Sequence, residues 1–122
     1  MKLDHDLVRE LLLNVQSTQS NREAGEPHIE PWSRDTILEH IEVLDEAGLL
    51  EARVIRNHQN GARLLSAHVI RLTWEGHEFL GKASNDLVWA RVKIVVVNQG
   101  GSASIGILKE LLTRAAIRNF AS

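Results

Sequence analysis

Several groups of residues have the types and spacing that chemistry asks for. The run Gly76-His77-Glu78-Phe79-Leu80-Gly81-Lys82 has the spacing of a phosphate-binding loop, Gly-x-x-x-x-Gly-Lys, and follows an expected strand. Such a loop cradles phosphate with backbone N–H groups and then needs a hydroxyl for magnesium. Ala83 stands at that place, and Phe79 and Leu80 suit core contacts on a short helix, so nucleotide binding is not expected. Six histidines, at 5, 28, 40, 58, 68 and 77, have no Cys partner and no His-x-x-x-His pair, so no metal site is expected. His40 sits among Ile37, Ile41 and Leu44 and reads as a hydrogen-bonded histidine at the edge of a core; His77 reads as an anchor for a closing helix. Asp4-His5-Asp6 invites an acid–base role, but neighbours on a helix point in different directions and no nucleophile accompanies them. No catalytic residue and no cofactor is expected, and the chain does not read as an enzyme.

Charge offers two binding surfaces instead. Arg53, Arg56, Arg63 and Arg71 cluster with His58 and His68, opposed locally by Glu51 alone. Arg53, Arg56, His58 and Arg63 form a candidate grip on nucleic-acid phosphates, with Arg56 or Arg63 reaching a minor groove. The plainer reading is a solvated hairpin whose arginines keep an edge strand from pairing with other molecules. Asp35, Glu39, Glu42 and Glu46 repeat at four, three and four residues along the preceding segment, a candidate docking face for a basic protein. In a helix-turn-helix complex that helix would enter the major groove, where four carboxylates would meet phosphate charge unfavourably.

The elements that position these residues follow from periodicity. Leu3, Leu7, Val8, Leu11, Leu12 and Val15 make one apolar face, predicting a first helix from Asp4 to Gln16. Residues 17–31 are polar and broken by Gly25, Pro27 and Pro31, a loop with room for a short strand at His28 to Glu30. Ser33 can cap a second helix over Arg34 to Ala47 that turns Ile37, Ile41 and Leu44 inward, and Gly48 can end it. Leu49 to Asn57 reads as a strand, Asn60-Gly61 as a hairpin turn and Leu64 to Thr73 as the return strand, with Ile70 and Leu72 inward. Thr73 can cap a short helix from Trp74 to Ala83, where Gly76 allows close packing. Beyond it, the apolar stretch Leu87 to Val97 suits a strand or a helix, and a helix is expected. After Gly100-Gly101 a last helix over Ala103 to Asn119 turns Ile105, Leu108, Leu112 and Ala115 inward. Trp74 and Trp89 are expected in the core, and Trp32 as a staple on Ile37 or Leu38 and the most exposed of the three.

The fold class expected is mostly α with a small β-hairpin (α+β), a winged helix-turn-helix-like domain. It is expected to be a single domain over residues 1–122, with the winged-helix core at about 1–84 and a C-terminal helical extension at about 85–122. Surplus apolar surface on the extension suggests a homodimer through Trp89, Val96, Leu108 and Leu112. Absent cysteine excludes disulfides and thiolate metal sites and suits a reducing cytosol. No membrane segment or leader is read: Ile94 to Val97 is far short of the roughly 20 residues a bilayer span needs. A net charge of −2 excludes the strongly basic balance of an obligate nucleic-acid binder.

The stretches 4–13, 41–49, 71–80 and 86–89 together resemble a bacterial and phage family, domain of unknown function 2513. The resemblance covers most of the chain. Its most specific part, Leu72 to Leu80, also looks like the wing-to-helix junction of the MarR and PadR transcription regulators. It implies a winged helix often carried by prophages, with no established activity and no catalytic residues. The acidic stripe departs from the DNA-binding relatives. The function expected is that of a small cytoplasmic regulator binding DNA through its basic wing, with an adaptor, such as a phage-encoded modulator of host machinery docking a protein on its acidic helix, as the alternative.

Overall fold

Among the described residues, five α-helices start where a short polar side chain folds back onto the first turn. Asp4 Oδ1 accepts from Leu7 N at 3.1 Å, Ser33 Oγ from Thr36 N at 3.2 Å and Thr73 Oγ1 from Gly76 N at 3.1 Å. Asn85 Oδ1 and Ser104 Oγ do the same for Leu87 N at 3.0 Å and Ile107 N at 3.2 Å. Each cap satisfies amide donors that the helix itself leaves unpaired. In the computed structural model, which describes residues 1–18, 21–61 and 63–121, they open α1 (His5–Gln16), α2 (Arg34–Glu46), α3 (Trp74–Ala83), α4 (Asp86–Asn98) and α5 (Ile105–Ala121). Between α2 and α3 lies one antiparallel hairpin, β1 (Leu50–Asn57) and β2 (Arg63–Leu72). The architecture is thus mostly α with a small β-hairpin.

One apolar cluster joins all of these elements. Leu7, Leu11 and Leu12 of α1 meet Ile37, Ile41 and Leu44 of α2, Leu50 of β1 and Leu80 of α3, all essentially without solvent contact. The close approach of α3 to the start of the hairpin depends on Gly76. A Cβ there would lie 1.8 Å from the Leu49 carbonyl oxygen, which no side chain permits.

The hairpin differs from its expected form in two respects. Its end is not a two-residue reverse turn at Asn60-Gly61: β1 runs into a 3₁₀ turn over His58–Asn60, opened by Asn57 Oδ1 accepting from Gln59 N at 3.0 Å, with Gly61 at φ 70°. The inward face also changes phase. Val69 and Ala67 are buried together with Leu72, while Ile70, expected inward, is half-buried. Leu50 pairs with Leu72, Glu51 with Arg71 and Ala52 with Val69, so Ile70 has no partner; Leu65 is skipped likewise between Ser66 and Leu64. Each bulge adds a residue to β2 and resets the alternation of faces.

Residues 17–18 and 21–31 lie in the loop expected, but its strand-like contact is at Gly25 instead of His28 to Glu30. Gly25 N donates to Val69 O and Val69 N to Gly25 O, both at 2.8 Å, on the edge of β2 away from β1. Gly25 has φ 74°, a backbone conformation that side chains with a Cβ adopt only with strain.

The ambiguous run Leu87 to Val97 is helical. Val88, Trp89, Val92 and Val96 of α4 face Leu108 and Leu112 of α5 and the core, but Leu87, Ile94 and Val97 remain largely exposed. The tryptophans distribute differently from expectation. Trp89 is buried, with the Arg9 guanidinium 5.6 Å from its ring centre. Trp74 is 70% exposed, because at the first position of α3 it leans outward over Ile70 and His77. Trp32 is half-buried against the core.

Candidate functional site

The two charged surfaces read from the sequence meet in space, since α2 packs on both strands of the hairpin. α2 is held from beneath by His40, which has no solvent exposure. Its Nε2 accepts the Asp4 N–H at 2.9 Å while Nδ1 donates to the Thr36 carbonyl at 2.8 Å, the tautomer that serves both partners. Asp4 in turn accepts from Trp32 Nε1 at 2.8 Å. Burial raises the Asp4 pKa, but the Trp32 and Leu7 hydrogen bonds outweigh it and hold the carboxyl below its ordinary value. With its inner face fixed in this way, α2 directs Asp35, Glu39 and Glu46 to solvent and Glu42 toward the hairpin.

The hairpin arginines are not the open cationic patch that their clustering suggests. Arg53 Nη2 donates to Glu23 Oε2 at 2.7 Å, and His68 Nε2 lies 2.6 Å from the same oxygen. Arg56 pairs with Glu42 across the α2 boundary, and Arg71 Nε lies 3.0 Å from Glu51 Oε2 on the adjacent strand. Arg34, at the start of α2, pairs with Glu26 and also donates to the Leu65 carbonyl at 2.9 Å, at one of the bulges. The hydrogen bonds from Arg53 and His68 keep the Glu23 carboxyl below its ordinary range, and those that Arg34 donates to Glu26 hold its guanidinium pKa above the ordinary value. Of the nucleic-acid candidates, Arg53 and Arg56 are therefore paired, while His58 and Arg63 are exposed at the hairpin end. Arg63 itself lines a shallow recess with Asp35 and Glu39.

Glu23 and Glu26 were not foreseen as members of this surface. They belong to the loop that Gly25 pins to Val69, and that pairing brings the two carboxylates to Arg53 and Arg34. Their only sequence signal is position: they flank the one glycine of an otherwise irregular segment.

The remaining candidates sit elsewhere. Trp89, Val96, Leu108 and Leu112, expected at a dimer interface, are 5%, 3%, 0% and 1% exposed within this chain. They form the α4–α5 contact and so cannot also be its outer surface. Residues Gly76 to Lys82 lie inside α3, their amides committed to helical hydrogen bonds, with Phe79 and Leu80 in the core. His77, expected as an anchor, is exposed, and its side chain makes no hydrogen bond or ion pair among the described residues. Among the described residues no three His, Asp or Glu side chains converge as a metal site requires. No helix there is long and apolar enough to cross a membrane.

Comparison with known proteins assigns the family: this chain belongs to the family described as hypothetical protein (DUF2513), whose model matches residues 2–102. An uncharacterized protein of Haemophilus influenzae is 31% identical over 112 residues, covering 91% of this chain and 92% of the relative. No solved structure matches.

Proposed function

We propose that this chain is a non-enzymatic binding module of the winged-helix kind, a small cytoplasmic adaptor of phage or prophage type that docks a basic protein surface on the acidic face of α2. The observation that carries this reading is an imbalance of pairing. Arg53, Arg56 and Arg71 each face a carboxylate, whereas Asp35, Glu39 and Glu46 are exposed and make no ion pair among the described residues. Phosphates would have to displace Glu23, Glu42 and Glu51 to reach Arg53, Arg56 and Arg71, and they would do so beside three further carboxylates. A basic protein meets the opposite situation: Asp35, Glu39 and Glu46 project from one rigid helix whose inner face is locked into the core.

DNA binding through the hairpin keeps one specific support, the exposed His58 and Arg63 at its end. A photoreactive residue at position 39 separates the two readings. The adaptor reading expects it to crosslink a discrete protein in producing cells, with the crosslink lost on combining Asp35→Asn with Glu46→Gln and retained on Arg63→Gln. Crosslinking to nucleic acid, lost on Arg63→Gln, would reject the adaptor reading in favour of DNA.

A further inference from the structure

The strongest unassigned feature lies between α4 and α5, away from the hairpin. A cleft of about 560 Å³ opens there, with Val92, Val95 and Leu111 among its apolar lining and Arg91, Arg114 and Arg118 also lining it. Its size falls within the roughly 300–1,000 Å³ of small-molecule sites. No acidic residue lines it. Arg114 has one carboxylate, Glu110 at 2.5 Å, while Arg91 and Arg118 make no ion pair among the described residues. Arg114 and Arg118 are one helical turn apart, a like-charge spacing that disfavours the helix unless something negative sits nearby. The cleft therefore carries a net charge of about +2, from three guanidiniums and one carboxylate, over an apolar lining.

We propose that this cleft binds an amphiphilic carboxylate, with its hydrocarbon chain on Val92, Val95 and Leu111 and its carboxylate held by Arg91 and Arg118. Charge complementarity selects the occupant. A neutral hydrocarbon leaves the guanidiniums unmatched, and a small inorganic anion leaves the apolar lining wet. A planar carboxylate at the end of an alkyl chain meets both, because guanidinium and carboxylate pair through two parallel hydrogen bonds. The site commits to the monomeric amphiphile in solution instead of a membrane surface, since its charge surrounds a recess between two helices. It is independent of the acidic face of α2.

The test titrates decanoate, below the concentration at which it aggregates, into the full chain by calorimetry. One molecule per chain is expected, with decanol, the same tail without the charge, at least about tenfold weaker. Arg91→Gln combined with Arg118→Gln should weaken decanoate about tenfold and leave decanol unchanged. Both arginines are exposed, so the variant keeps its fold, which circular dichroism verifies. Absence of binding, equal affinity for decanol, or decanoate affinity unaltered in the variant would overturn the proposal. So would sedimentation of the chain with phosphatidylglycerol vesicles without binding of dispersed decanoate. A dimer by light scattering that decanoate leaves intact and Ile94→Asp dissociates would assign the cleft to a second copy and equally overturn it.

Discussion

The hairpin and the α4–α5 cleft both set arginines on apolar ground, yet they differ in what surrounds the charge. In the hairpin the matching carboxylates arrive from three directions: Glu23 from the loop before α2, Glu42 from α2 itself and Glu51 from the neighbouring strand. In the cleft, among the described residues, Glu110 alone answers three guanidiniums. A cluster of arginines along the chain is thus a poor guide to a basic surface. Glu23 lies 30 residues before Arg53 and Glu42 lies 14 before Arg56, separations that no local window of sequence joins.

The most severe way to break this comparison is to separate the two regions. Gly76→Ala drives a Cβ into the Leu49 carbonyl where α3 connects the hairpin to the C-terminal helices. A loss of about 3 kcal/mol or more is expected in urea unfolding, in a single transition that includes both regions. Loss of the hairpin alone, with α4 and α5 intact, would show that they do not share one core.

Asp4→Ala removes the cap of α1 and leaves Trp32 Nε1 without its acceptor. About 1–2 kcal/mol should be lost at neutral pH. Because the folded carboxyl titrates below its ordinary value, this contribution is present above the unfolded pKa and disappears as pH falls through the folded one. Wild type and variant should therefore converge in acid, and a constant gap would leave the cap's charge without a role.

Gly25→Ala sharpens the comparison, since strain at φ 74° should cost about 1–2 kcal/mol and loosen the loop that brings Glu23 and Glu26 to the arginines. The hairpin then resembles the cleft, and salt-dependent affinity for duplex DNA should rise above that of the wild type. A double-mutant cycle on Arg56 and Glu42 probes the same pairing more gently, with a coupling of about 1 kcal/mol or less. The smallest effect belongs to the cleft: Arg91→Gln with Arg118→Gln should leave the urea midpoint unchanged or slightly higher, because it relieves repulsion and removes no ion pair. A clear loss there would mean that the arginines hold the helices together.

Much of this architecture was legible in the residues. Ser33 and Thr73 are short acceptors placed ahead of apolar periodicity, and each became a cap, while Asp4, expected within the first turn of α1, caps it instead. The inward set Ile37, Ile41 and Leu44 followed from helical spacing, as did the close approach at Gly76. Ile70 was misjudged because alternation assumes an unbroken ladder, and a bulge shifts the phase without marking the sequence. Trp74 was misplaced for a related reason: the first position of a helix can lean away from the core that the rest of the helix covers. Residues such as Leu108 and Leu112 were rightly seen as apolar on one face, but periodicity does not tell whether that face meets the same chain or another.

The central claim is that Arg53, Arg56 and Arg71 of the hairpin are already matched within the molecule. Fluorescence anisotropy of a labelled DNA duplex at low salt tests it most directly, carried to about 100 µM protein, where even non-specific binders respond. The account predicts no saturable binding by the wild-type chain. Tight binding that weakens steeply with salt and is lost on replacing Arg53, Arg56 and Arg63 by Gln would contradict it.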